Sequence, residues 1–297
     1  SDITATDGDT KLAVLDTGVT LQELVTGLNQ LGVKPRDIIT ILQAIKAAGA
    51  LQADRCDIFT DVDGIYTSDP RIVPKARKLD KITYEEMLEM ASQGSKVLQA
   101  RSVELAKNQN VPIQVRSSFT KDPGTCVVSE EKIVEKNVVS GISHNQDEAK
   151  VTLLGVSDRP GVAASIFGPL ADASVNVDMI VQNISEDGNT TNLTFTVGQA
   201  DLDNAVNLLK TQKTKIGFNK IIADPKLAKI SIVGVGMRSH AGVAQTMFNA
   251  LAEKKINIKV ISTSEIKISV LIDEEFTELA LKALHSAYGL DNNDQKG

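Results

Sequence analysis

The stretch Gly161-Val162-Ala163, followed by Phe167 and Leu170-Ala171, returns 81 residues later as Gly242-Val243-Ala244, followed by Phe248 and Leu251-Ala252. The same spacing relates Asn176 to Asn257, so a whole structural unit is duplicated and not only a short motif. Each copy begins with a strand-like run. A glycine then opens a helix, and a second strand starts at the matching asparagine.

The rest of each copy predicts a hairpin and a closing helix. In the first copy, Asp187-Gly188 separates two alternating apolar runs, which is a strong hairpin signal, and Asp201 heads a helix. In the second copy the hairpin is shorter, around Ser264-Glu265, and the closing helix carries Leu279 and Leu284. Both copies predict the order β-α-β-β-α-β of a ferredoxin-like sandwich. Because that fold serves many functions, it does not decide the function.

The composition argues against several classes of function. A length of 297 residues allows two or three domains, and a net charge of −6 without a basic block argues against a nucleic-acid partner or an anionic membrane. No apolar stretch is long enough to cross a bilayer, and no signal peptide opens the chain. Cys56 and Cys126 show no framework spacing, which favours a cytoplasmic setting. The three histidines stand too far apart in the sequence to suggest a metal site.

The two helix-opening turns are candidate binding sites. The first reads Ser157-Asp158-Arg159-Pro160-Gly161-Val162-Ala163, and the second reads Ser239-His240-Ala241-Gly242-Val243-Ala244. A glycine here lets the backbone approach a ligand, and the helix N-terminus presents N–H groups that suit an α-carboxylate. Asp158 is then placed to meet an α-ammonium group. The alternative is that Asp158 only caps the helix.

The duplicated segment resembles tandem ACT domains, which are regulatory modules that bind amino acids. The resemblance implies lysine and/or threonine as effectors and a homodimer that forms through the ACT domains and completes the pocket across two chains. The implied effector-binding residues are Asp158, Arg159, Pro160, Gly161, Val162, Ala163, Asn176, Val177, Asp178 and Gln182 in the first copy, and Val243, Ala244, Asn257, Ile258, Ser264 and Glu265 in the second.

Upstream of the repeat, three segments resemble the aspartate kinase family, and the likeness runs from about residue 53 to about residue 290. The segments run from Cys56 to Arg71, from Tyr84-Glu85-Glu86-Met87 through Gly94-Ser95-Lys96-Val97-Leu98, and from Val111 to Phe119. The resemblance implies ATP as cofactor, with Mg²⁺ as a family expectation. The implied ATP-binding residues are Thr60, Asp61, Tyr66, Thr67, Ser68, Asp69, Pro70, Arg71 and Lys96.

The residues of this region also support two independent inferences. Thr83 and Glu86 have the spacing of a capping box, which predicts that a helix starts between them. Arg71 and Lys96 are cations of the kind that offset phosphate charge. Taken alone, a lysine and an arginine in a polar segment also fit a solvated surface.

The phosphate loop of the kinase family has no counterpart in residues 1–52. Aspartate kinases begin with a strand and a loop of the type Lys-Phe-Gly-Gly-Thr-Ser, which holds phosphates and the acceptor aspartate. Phosphoryl transfer depends on positioning and charge neutralisation around the transferred group. We therefore expect no catalysis by this chain alone and assign no catalytic residue.

Residues 1–52 instead predict a helical hairpin. The first helix covers residues 20–31 and ends at Gly32, and Pro35 opens a second helix that runs to Ala48, with Gly49 behind it. The hairpin, with Leu31-Gly32-Val33-Lys34-Pro35-Arg36-Asp37 at its centre, resembles the C-terminus of the flagellar P-ring protein, up to about residue 53. A generic helical hairpin is the alternative. The change of resemblance near residue 53 suggests a hybrid of two genes.

These features predict a mixed α/β chain: a helical segment over residues 1–52, the C-terminal part of an amino-acid-kinase-like α/β sandwich over 53–128, and ferredoxin-like ACT domains over 140–222 and 228–290. Three classes of function follow. The first is a kinase that transfers the ATP γ-phosphoryl group to the β-carboxylate of aspartate. The second is an amino-acid-binding regulatory subunit, for which a full-length kinase subunit is a candidate partner. The third is a structural flagellar component, which only the first 52 residues support.

Overall fold

A computed structural model describes residues 35–133, 137–184 and 189–291. Before the repeat, the elements are α1 (Pro35–Ala50), β1 (Cys56–Thr60), β2 (Lys81–Thr83), α2 (Tyr84–Ser92), α3 (Ala100–Asn108), β3 (Ile113–Ser117) and β4 (Thr125–Val128). In the repeat they are β5 (Gly141–Ser157), α4 (Val162–Asp172), β6 (Val177–Ile184), β7 (Thr190–Val197), α5 (Leu202–Thr211), α6 (Lys213–Ile216), β8 (Lys220–Val233), α7 (Val243–Glu253), β9 (Val260–Thr263), β10 (Lys267–Asp273) and α8 (Thr277–Ala287).

The part before the repeat is built on a four-stranded sheet. Its strand order is β1-β3-β4-β2, with β3 and β4 antiparallel and the two outer pairs parallel. Helices α2 and α3 cover this sheet, and their fully buried side chains include Met87 and Val103. Helix α1 adds Ile45 to the same core.

The observed helix starts follow the sequence closely. The described part of helix α1 starts at Pro35, whose fixed φ suits a first helical position. It continues through Gly49 to Ala50, so the predicted end at Ala48 is two residues short. Helix α2 begins with the predicted capping box between Thr83 and Glu86. The predicted helix over residues 20–31 lies outside the described residues.

The duplicated units share one six-stranded sheet in the order β6-β7-β5-β8-β10-β9. Its two central strands, β5 and β8, are 17 and 14 residues long. They pair antiparallel with an irregular register around Glu148, so residues 141–145 face 229–233 and residues 150–154 face 220–224. Strand β7 lies beside β5, and β10 lies beside β8.

This shared sheet gives each unit its fourth strand by a different route. The first unit runs β5, α4, β6, β7, α5, β8 in chain order. The second unit runs β8, α7, β9, β10, α8, and residues 141–145 of β5 lie beside its β8. Its fourth strand therefore comes from the start of β5, whose remainder is the first strand of the first unit.

Each unit has its own hydrophobic core. Phe195 is fully buried in the first unit, and Leu284 is fully buried in the second. Leu279 is 41% exposed and faces away from the core. The predicted turn at Asp187-Gly188 lies outside the described residues. No helix in the described part of the chain is long and apolar enough to cross a membrane.

Candidate nucleotide and effector sites

The predicted nucleotide segment starts where β1 ends. The Thr60 hydroxyl donates to Asp61 Oδ1 at 3.0 Å, and the Tyr66 hydroxyl donates to Asp63 Oδ1 at 3.0 Å. Burial, assisted by Asp63, raises the pKa of the Tyr66 phenol. The Lys78 ammonium group lies 3.5 Å from Asp63 Oδ2. The polar groups at this end of the segment are thus already paired with one another.

Thr67 is held in place by hydrogen bonds of both its backbone N–H and its carbonyl. Its backbone N–H donates to the Arg77 carbonyl at 2.8 Å, and its carbonyl accepts the Ile142 N–H at 2.8 Å. Thr67 and Ser68 are 1% and 4% exposed. Their side chains therefore face the protein interior, although both residues belong to the predicted ATP-binding set.

The far end of the segment is open to solvent. Arg71 forms an ion pair with Asp69 at 2.7 Å, and its backbone N–H donates to Asp69 Oδ1 at 2.9 Å. The hydrogen bond from Arg71 lowers the pKa of the Asp69 carboxyl. Arg71 and Pro70 are exposed, but the charge of Arg71 is already balanced by its neighbour.

Lys96 lies exposed in the loop between α2 and α3. In the same loop, Gly94 has a φ of +105°, and a methyl group there would collide with the carbonyl oxygen of His144 on β5. The start of β5 also contacts the Thr67 carbonyl through Ile142. The two predicted ATP-binding segments therefore flank the start of the same strand.

The two duplicated turns have nearly the same geometry. Gly161 has a φ of 86° and Gly242 a φ of 89°, and each precedes an 11-residue helix. Neither helix has a side-chain cap, so the alternative in which Asp158 caps α4 is wrong. The backbone N–H of Asp158 donates to the Asn189 carbonyl at 3.0 Å, and its side chain is exposed.

The predicted effector ligands of the first unit fall into two groups. Asp158, Asn176 and Gln182 are exposed, as are Pro160, Gly161 and Ala163. The side chains of the other predicted ligands already contact the protein itself. Val162 and Val177 pack in or against the core of the first unit. The Arg159 guanidinium donates to the Lys215 carbonyl at 2.7 Å, and Asp178 forms an ion pair with Lys229.

The predicted residues of the second unit divide in the same way. Val243, Ala244 and Ile258 pack in or against the core of the second unit. Asn257, Ser264 and Glu265 are exposed. A pocket completed across two chains remains a prediction.

Local sequence patterns do not reveal the contacts that join the two parts of the chain. Glu86 was predicted only as a capping residue, yet its Oε1 also accepts the Ser140 hydroxyl at 2.6 Å and the Val235 N–H at 2.9 Å. His285 and Lys229 were not singled out, and both are buried in polar contacts. No local signal identifies them, because their partners lie far away in the sequence.

Family models match both the repeat and the part of the chain before it. A model of the ACT domain matches residues 151–212 and 230–288, and a model of the amino acid kinase family matches residues 42–117. A model of the flagellar P-ring protein matches residues 1–55, a short stretch at the start of the chain.

Curated relatives point to one family. The aspartokinase of Pseudomonas aeruginosa is 57% identical over 85% of this chain, and the match covers 62% of that protein. The aspartokinase of Mycobacterium bovis is 44% identical over 98% of this chain and 73% of that protein. The chain therefore spans about three fifths of the length of the Pseudomonas relative.

Solved structures show the same likeness. Aspartokinase III of E. coli, in complex with aspartate and ADP, is 28% identical with a TM-score of 0.69 over 83% of this chain and 55% of that one. Its complex with lysine and aspartate has a TM-score of 0.68 at 28% identity, over 84% and 55%. With the tandem ACT units, the amino-acid-kinase segment and these relatives taken together, the chain belongs to the aspartate kinase family.

Proposed function

We propose that this chain is the regulatory and nucleotide-contacting portion of an aspartate kinase. In the whole protein, that activity transfers the γ-phosphoryl group of ATP to the β-carboxylate of aspartate. The observation that supports this best is the burial of Thr67, in the nucleotide segment, against the second ACT unit. A regulatory unit that is hydrogen-bonded to the nucleotide segment is placed to control the position of that segment.

For the effector, we propose lysine and/or threonine at the duplicated turns. E. coli aspartokinase III was solved with lysine, which supports an amino acid of this class. The uncapped N-terminus of α4 offers N–H groups and a positive dipole end to an α-carboxylate. The exposed carboxylate of Asp158 would meet the α-ammonium group.

For the nucleotide, we propose ATP with Mg²⁺, held between Thr60, Asp61, residues 66–71 and Lys96. The fit is partial. Lys96 offers an exposed ammonium group, whereas Arg71 must exchange Asp69 for a phosphate before it can contribute charge. We therefore expect weak nucleotide binding by this chain and no phosphoryl transfer.

Two measurements test these proposals. Calorimetric titration with lysine, threonine and ADP measures each ligand separately, with leucine as a control amino acid. An assay that traps aspartyl phosphate as the hydroxamate, in a preparation free of host kinase, measures catalysis. Hydroxamate formed by the purified chain would overturn the expected lack of activity, and a lack of heat with both lysine and threonine would overturn the effector assignment.

We also propose a homodimer formed through the ACT units. Strand β6 lies at one edge of the six-stranded sheet, and it exposes Ile180 at 54% and Ile184 at 68%. Unpaired edge strands with exposed apolar side chains commonly pair with another strand. Sedimentation equilibrium at micromolar concentration, with effector present, should give the mass of two chains, and a monomer would contradict this. Pairing with a full-length kinase subunit is the second candidate, tested by co-purification.

A further inference from the structure

One buried hydrogen bond joins the nucleotide segment to the last helix of the second unit. His285 on α8 and Thr67 are each 1% exposed, and His285 Nε2 lies 2.9 Å from Thr67 Oγ1. The two residues are 218 positions apart in the chain. The contact therefore exists only when the kinase part and the second unit are docked together.

Thr67 is well placed to pass a displacement of α8 to its neighbours. Its hydroxyl oxygen also accepts the backbone N–H of Arg77 at 3.0 Å, so it links the two ends of the loop formed by residues 67–77. The Arg77 guanidinium donates to the Leu290 carbonyl at 2.8 Å, just beyond α8. Thr67 and Arg77, at the two ends of this loop, are thus both hydrogen-bonded to the C-terminal end of α8 or to the residues just beyond it.

The other ring nitrogen of His285 has no partner in the part of the chain that the structure describes. Nδ1 is buried and makes no hydrogen bond among the described residues. The neutral Nε2–H tautomer donates to Thr67 and leaves no N–H of the ring unpaired, whereas the doubly protonated ring carries an Nδ1–H that has no acceptor among the described residues. A buried polar group without a partner is costly, and a buried unpaired charge costs more.

The charged groups around His285 are of mixed sign. Lys75 and Arg77 disfavour a positive ring, whereas Asp291 favours it but already lies 3.6 Å from the Lys75 ammonium group. Burial is the largest influence and lowers the pKa of His285 below its ordinary value. The ring is therefore neutral near pH 7.

We propose that His285 is a positioning residue for the nucleotide segment, whose neutral ring holds Thr67 in place and whose protonation releases residues 66–71 from α8. The consequence for nucleotide binding rests on the proposed function, whereas the release of the segment does not. The direction of the pH effect follows from linkage. Because the folded ring has the lower pKa, its stabilising contact is present above the unfolded pKa of about 6.5 and is lost as the pH falls below it.

Hydrogen exchange of the full chain tests the release directly. At pH 7.5, His285→Ala should speed amide exchange in residues 65–79 by roughly tenfold, the effect of losing one buried hydrogen bond. In His285→Gln, the carboxamide reaches the position of Nε2 and does not titrate, so the segment should stay protected. The ratio of the wild-type exchange rate to the exchange rate of His285→Gln should then be higher at pH 5.5 than at pH 7.5. Because both rates of each ratio are measured at the same pH, the intrinsic exchange rate cancels.

A second histidine near the segment provides the control. His144 is half-buried on β5, and burial lowers the pKa of its ring, while the charges of Asp69 and Arg71 act on that pKa in opposite directions. His144→Gln should leave the pH-dependent step in place. A ratio that stays flat with pH, or a step that disappears with His144→Gln and persists in His285→Gln, would overturn the role of His285.

Titration with ADP separates this inference from the proposed function. We expect ADP to bind wild type more weakly than His285→Gln at pH 5.5, and equally at pH 7.5. A chain that binds no ADP at either pH contradicts the proposed nucleotide site. The exchange ratio in residues 65–79 decides the role of His285 in that case as well.

Discussion

The backbone N–H of Val235 donates to Glu86 Oε1 at 2.9 Å, which fastens the loop before α7 to helix α2. The same carboxylate accepts the Ser140 hydroxyl and both the N–H and hydroxyl of Thr83. Glu86 is 2% exposed, yet four donors satisfy it. One side chain thus joins the kinase part to the loop that leads into the Gly242 turn.

Replacing Glu86 should weaken the whole fold. In Glu86→Gln, one of the two oxygens becomes an NH2 group that faces donors, which leaves buried donors without an acceptor. We expect a loss of about 2–4 kcal/mol in the free energy of unfolding, measured by urea denaturation. Glu85→Gln is the control, because Glu85 pairs with Lys107 at a partly exposed site, and losing that pair should cost less than about 1 kcal/mol. Equal urea midpoints for the two variants would contradict this role.

Two glycines of the first unit separate backbone strain from helix propensity. A side chain at Gly161 or Gly168 meets no atom within 4 Å, but only Gly161 has a positive φ, of 86°. Gly161→Ala should therefore lower stability by about 1–2 kcal/mol. Gly168→Ala, inside α4, should raise it by roughly 0.5–1 kcal/mol. Urea denaturation of both variants checks the signs, and a stabilised Gly161→Ala would show that the turn does not need glycine.

Asp158 should contribute to effector affinity without supporting the fold. Its side chain is exposed and does not cap α4. If it meets the α-ammonium group, Asp158→Ala removes a charge-assisted hydrogen bond of about 1.5–3 kcal/mol and weakens binding roughly 10- to 150-fold. Asp172→Ala, at the other end of the same helix, is the matched control. Calorimetry with lysine and threonine measures both, and unchanged affinity in Asp158→Ala places the effector elsewhere.

Asn257 should make a smaller contribution from the second unit. It is exposed before β9 and can offer a neutral hydrogen bond. Asn257→Ala should therefore weaken binding by about 1 kcal/mol, roughly fivefold. Asn249→Ala, an exposed position on α7, serves as the control. Identical affinities of Asn257→Ala and the parent for lysine and threonine would exclude the second turn from the pocket.

Local patterns in the sequence predicted the local structure well. The 81-residue repeat predicted two helices that each follow a glycine, and Gly161 and Gly242 differ by only a few degrees in φ. The spacing of Thr83 and Glu86 predicted the start of α2. Each of these features depends on residues that are neighbours in the chain, so periodicity and capping rules reach them.

The contacts that join the two parts of the chain could not be predicted in this way. His285 and Thr67 are 218 positions apart, and Glu86 and Val235 are 149 apart. The shared pairing of β5 with β8 is equally non-local, since an apolar run does not specify which strand it pairs with. The sequence therefore predicted the repeat and its turns, but not the contacts of Thr67 and Arg77 with the second unit.

Lys229 should be the most sensitive charged residue of the shared sheet. Its ammonium group lies 2.7 Å from Glu148 Oε1 and also pairs with Asp178, while Lys229 and Glu148 are each 4% exposed. Lys229→Ala leaves the Glu148 carboxylate buried without its cation, which should cost about 3–5 kcal/mol in urea denaturation. Lys282→Ala, which removes an exposed helix pair with Glu278, should cost roughly 0.3–0.5 kcal/mol.

The same cluster predicts a loss of stability at high pH. Burial alone would lower the pKa of Lys229, but Glu148 and Asp178 outweigh it and raise the pKa above its ordinary value. A group whose pKa is raised by folding contributes stability below its unfolded pKa, about 10.4, and that contribution disappears as the pH rises through the folded value. Wild type should therefore lose stability above pH 10.4 more steeply than the double variant Lys229→Met/Glu148→Leu, in which neither group can titrate. If the two urea midpoints fall in parallel from pH 9 to 11.5, the cluster contributes no pH-dependent stability and the assignment of its charges is wrong.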